Sequence, residues 1–109
     1  MAKLVLYIPI HRSFSRDRLL TVVRAARRIG DQLGISLEGA YRRSDISEIS
    51  VYFQDDDGHE EWVYGDWEPN RSEETVYSLM FSLTDVLRQL ARLQKPREGL
   101  EDDRIPVGS

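Results

Sequence analysis

The chain contains no cysteine. Disulfides, thiolate metal ligands and cysteine nucleophiles are therefore excluded. Histidine is nearly as scarce, with only His11 and His59 available for the work of the commonest general base. No apolar run approaches the roughly 20 residues that a membrane-spanning helix needs. The run Leu4–Ile10 is short and interrupted by Pro9, with no small-residue cleavage site behind it, so it does not read as a secretion signal. A cytoplasmic protein with no membrane partner is the expectation. The sequence also lacks a glycine-rich phosphate loop and an internal repeat. No catalytic residue, cofactor or metal site is expected from its motifs.

What is present suits one small globular domain. The 109 residues are 40% hydrophobic and 31% charged, a mixture that folds rather than staying disordered. Net charge is −4, so nucleic acid is not the default partner. The first run, Leu4-Val5-Leu6-Tyr7-Ile8, is apolar on both faces and predicts a central strand. A helix is expected from about Arg16 to Leu33, with Ser15 or Ser13 as N-cap and Gly34 as its stop. Its apolar stripe is Leu19, Val22, Val23, Ala26, Ile29 and Leu33.

Alternation then predicts three strands. The first carries Ile35, Leu37, Gly39 and Tyr41, and the second Ile49, Val51 and Phe53. The third carries Trp62 and Tyr64. Asp57-Gly58 between the last two predicts a tight hairpin. A two-residue loop there sets Phe53 opposite Trp62 and Val51 opposite Tyr64, both on the core face. A second helix is expected from about Glu73 to Lys95, capped by Asn70 with Glu73 or by Ser72. Val76, Leu79, Met80, Leu83, Val86, Leu87 and Leu90 form its broad stripe, with Leu83 at the middle of the buried side. Residues 1–95 then make one domain, and 96–109 a flexible acidic tail. The order β-α-β-β-β-α predicts a two-layer α+β fold, a mainly antiparallel sheet with two amphipathic helices on one face.

Four groups are candidates for function. The acidic run Asp55-Asp56-Asp57, with His59, Glu60 and Glu61, offers carboxylates to a hard cation but lacks calcium-loop spacing, and turn geometry explains its aspartates. The His11–Ser15 connection meets a helix start, where anions bind. Arg16, Arg24, Arg27 and Arg28 lie on or beside one helix face, and Arg42 and Arg43 end the next strand. These six are possible anion or nucleic-acid contacts, although charged helix faces are usually only solvated. Tyr77 and Phe81 are neighbours four residues apart, off the leucine stripe and beside Arg88. Tyrosine and arginine are favoured at interface hot spots, so Tyr77, Phe81 and Arg88 are candidate partner contacts. Trp67 covers either the core edge or that surface.

Two function classes follow. The first is a non-enzymatic protein-interaction or regulatory domain: an adaptor, an inhibitor or a self-associating subunit. Its simplest form is a homodimer through the second helix or a sheet edge. The alternative is a nucleic-acid-binding regulator using the arginine-rich helix face. An enzyme or ligand domain built on His11–Ser15 ranks below both.

Overall fold

The computed structural model describes residues 1–10, 14–43 and 45–94, the side chains of 40–42 and 94 excepted. The expected tail and the connection residues His11 and Ser13 lie outside them. Strand β1, Lys3–Pro9, runs into helix α1, Arg16–Leu33, and the chain returns as β2, Ser36–Arg43. Strands β3, Ser50–Gln54, and β4, Glu60–Gly65, follow before helix α2, Glu73–Gln94. The sheet order is β2-β1-β3-β4, so the doubly apolar β1 is an interior strand. The sheet is mixed. β1 and β2 run parallel, joined across α1, while the β1–β3 and β3–β4 pairs are antiparallel.

Both helices pack on one face of this sheet. Leu4, Leu6, Val51, Phe53, Val63 and Tyr64 meet Val22, Ala26 and Ile29 of α1, and Val76 and Met80 of α2. Burial of this apolar surface is the main source of stability. Helix α1 starts at Ser15, whose hydroxyl accepts from the amides of Asp17 and Arg18. It ends at Gly34, which takes φ 71° and donates to the Gly30 carbonyl. Gly30 has a second role. A Cβ there would stand 2.7 Å from the Ile35 carbonyl oxygen, so the turn from α1 into β2 needs the missing side chain. Ser72 caps α2 by accepting from the Thr75 amide.

The β3–β4 hairpin departs from the expected two-residue loop. The Asp55 amide bonds to the His59 carbonyl, and the Gly58 amide bonds back to the Asp55 carbonyl. Gly58 takes φ 90°. The loop is therefore the three residues 56–58, a turn closed by a left-handed glycine. That shifts the register by one, setting Phe53 opposite Glu61 and Tyr52 opposite Trp62. A β-bulge between Val51 and Tyr52 then admits Val63 as an extra residue, which restores the expected Val51–Tyr64 pair. Trp62 consequently leaves the core. It lies on the open sheet face, stacked on Trp67 with ring centroids 5.6 Å apart.

Charged side chains tie α1 to the far end of the sheet. The Arg18 guanidinium donates twice to the buried Asp66 carboxylate, at 2.6 and 2.9 Å, and once to the Arg71 carbonyl. The Tyr64 hydroxyl donates to the same carboxylate. Burial, and then this bond to a carboxylate, push the Tyr64 hydroxyl up to about 12. The bond to Asp66 likewise raises Arg18 above the usual arginine range.

Candidate interaction surface

Helix α2 carries apolar residues around more than half of its circumference. At about 100° per residue, Leu79, Leu83, Val86, Leu90 and Leu93 cluster in one narrow stripe. Val76, Met80, Leu87 and Thr84 lie further round, and Tyr77, Phe81 and Arg88 further still. A helix lying on a sheet beside one neighbour packs in two directions only. For α2 these are the sheet, met by Val76 and Met80, and α1, met by Tyr77. The leucine stripe is left over.

Its exposure is large. Leu79 is 45% exposed, Leu83 41%, Val86 53%, Leu90 49% and Leu93 70%. The expectation of Leu83 at the middle of the buried side is therefore overturned. The buried face is centred near Met80 and Thr84, both fully covered, roughly 100° round from the stripe. Thr84 is accommodated there because its hydroxyl donates to the Met80 carbonyl.

Tyr77 and Phe81 lie on the side of α2 that faces α1 and the core. Both are partly buried against the core, and their rings stack at 5.7 Å. The Tyr77 hydroxyl donates to the Gln32 side chain of α1, and the Arg28 guanidinium stands 4.2 Å above the Tyr77 ring. Arg88 bonds Asp85 within α2. The trio expected at a partner surface is thus half-buried, with Tyr77 engaged by α1 and Arg88 by Asp85.

The stripe's place on the molecule follows from these contacts. With α1 on the Tyr77 side and the sheet beneath Met80, the stripe lies on the flank away from α1. That is the flank of β4, an edge strand with one sheet neighbour. The polar side chains bordering the stripe on its solvent side are Thr75, Ser78, Ser82 and Gln89, none of them charged.

The arginines expected to form one basic face are divided among separate partners. Arg24 bonds Glu73 at 2.8 Å, and Arg28 reaches both Glu73 and Glu74. These bridges clasp α1 to the first turn of α2, and the Arg24 and Arg28 bonds hold the Glu73 carboxyl below its usual range. Arg43 lies on the open sheet face, bonded to Asp45 and Glu60 and stacked over the rings of Tyr7 and Tyr52. Burial, and then the bond to Glu60, push the Tyr7 hydroxyl up to about 12. Arg16 and Arg27 are exposed, and among the described residues they enter no ion pair. Arg12 of the connection and the Arg42 side chain lie outside the description.

The acidic turn behaves as a turn. Asp55 accepts from the amides of Asp57 and His59, and the N-terminal ammonium meets Asp56 at 3.0 Å. Among the described residues no cluster of three or more histidine or carboxylate groups is arranged to hold a metal ion. A cleft of about 460 Å³ opens beside this turn, lined in part by Phe53, Asp55, Arg88 and Arg92. No described helix is long and apolar enough to cross a membrane.

The outward stripe is not among the features expected from the sequence. The available signal was its spacing of four, three, four and three residues, the seam of a coiled coil rather than the face of a sheet-packing helix. No family model matches the chain, and no similar curated protein or solved structure is found.

Proposed function

We propose that the chain is a non-enzymatic protein-interaction domain, regulatory or self-associating, that works through the outward leucine stripe of α2. The observation that carries this reading is the stripe itself. Five aliphatic side chains at coiled-coil spacing stand 41–70% exposed on one flank. Single exposed apolar residues need no explanation, but contiguous ones rimmed by polar residues mark interaction sites. The alternative, a nucleic-acid regulator on the arginine face, has less support. Arg24, Arg28 and Arg43 are engaged by carboxylates, and the chain is net acidic.

The test is Leu83→Glu combined with Leu90→Glu. Glutamate is a good helix former and both sites are half-exposed, so the melting temperature of the dissociated chain, read in dilute solution, should stay close to wild type. Association, with a partner or with itself, should be lost. A double variant that associates as the wild type does, at an equal melting temperature, contradicts the proposal.

A further inference from the structure

We propose that the occupant of the leucine stripe is a second copy of this chain, its α2 packed antiparallel against the first around a two-fold axis. The inference rests on the proposed function and names the partner. Charge at the seam favours a second copy. In paired helices the residues flanking the seam choose the partner, usually through complementary charges. Here the free flank carries Thr75, Ser82 and Gln89, and the other flank turns into the chain's own core through Met80 and Leu87. No charge code selects a different chain, and a second copy meets no repulsion across the seam.

The spacing favours it as well. A knob pattern repeating every 3.5 residues interlocks best with a helix of the same repeat, and the second copy supplies one. The helix dipole sets the direction. Antiparallel pairing sets the opposite dipole ends of the two helices beside each other, whereas parallel pairing sets like ends beside like. Antiparallel pairing of the seam then brings Leu79 against Leu90 of the second copy, and Leu83 against Val86. A two-fold arrangement closes on itself, so it yields a dimer rather than a filament.

The absence of native cysteine makes the test clean. Sedimentation equilibrium of the full chain should give twice the chain mass, with the dissociation constant raised at least about 30-fold by Leu83→Glu with Leu90→Glu. Leu83→Ala, a milder change, should raise it less while leaving the melt of the dissociated chain nearly unchanged. Leu79→Cys and Leu90→Cys chains, separately tagged and oxidised together, should form the mixed disulfide, and neither alone should cross-link. The two sites are about 16 Å apart along one helix, so the antiparallel and parallel patterns do not overlap. Homodisulfides of each single variant would overturn the proposal, as would a strict monomer at millimolar concentration. A monomer whose stripe is still needed to bind another protein would overturn this inference and leave the proposed function standing. A monomer whose stripe variants change no association would end both.

Discussion

Helices α1 and α2 lie side by side on the same sheet, yet they dispose of their apolar residues differently. In α1 the apolar residues other than the exposed Leu20 form one arc, in which Val22, Ala25, Ala26 and Ile29 are fully buried. Arg16, Arg24 and Arg27 occupy the far side, while Arg18 turns inward to Asp66. In α2 the apolar arc is about twice as wide as one packing surface can cover, and only the Val76–Met80–Thr84 half of it reaches the core. The other half projects from the flank of the sheet. A narrow apolar arc names its own buried face. A wide arc leaves that choice to the neighbours, and here α1 and the sheet take the tyrosine, phenylalanine and methionine side.

The largest expected effect lies where α1 is anchored. Asp66→Ala leaves the Arg18 guanidinium, 14% exposed, without its carboxylate, and the Tyr64 hydroxyl without its acceptor. Removing one member of a buried ion pair costs about 3–5 kcal/mol, readable by urea denaturation. A loss near zero would mean that solvent replaces the pair. Met80→Ala removes a fully buried side chain from the core half of α2 and should cost about 2–5 kcal/mol. Gly30→Ala drives a methyl group into the Ile35 carbonyl and should cost about 1–3 kcal/mol as overpacking, despite alanine's better helix propensity. Leu83→Ala belongs to the other half of α2. At 41% exposure its effect on the dissociated chain should stay near 0.5 kcal/mol, as for surface sites (roughly ±0.5). A loss comparable to that of Met80→Ala would erase the distinction between the two halves.

An alkaline titration gives an effect confined to high pH. The Tyr64 hydroxyl is raised to about 12 in the folded chain, against an ordinary value of about 10. The unfolded chain therefore releases this proton first. The contribution is fully present below about pH 10 and is lost as pH rises through about 12. Tyr64→Phe should flatten that limb of the stability profile. A limb unchanged in the variant would assign it to another group.

The sequence made the element order legible because each signal was local. Ser15 and Gly34 bracket α1 through their own hydrogen bonds, and the apolar run of β1 suits an interior strand. The orientation of α2 and the hairpin register were not legible, for two different reasons. The aliphatic residues of α2 are as hydrophobic as its core residues, so periodicity alone cannot rank its two halves. In the hairpin, Asp55 uses backbone and side chain together to hold a three-residue loop, and the bulge at Val63 cancels the one-residue shift further along. Trp62, between loop and bulge, is where the two-residue reading fails. The arginine set was legible as charge but not as pairing, because Glu73 and Glu74 lie some 45 residues away in the chain.

Which way the leucine stripe faces, and what covers it, decides how α2 works. Thiol labelling of Leu83→Cys in the full chain, followed across protein concentration, reads both at once. The stripe should label at the rate of a free thiol in dilute solution and become protected as concentration rises and a second copy closes over it. Slow labelling at every dilution would place Leu83 against the sheet and contradict the two-sided α2. Fast labelling at every concentration would leave the stripe uncovered by any second copy.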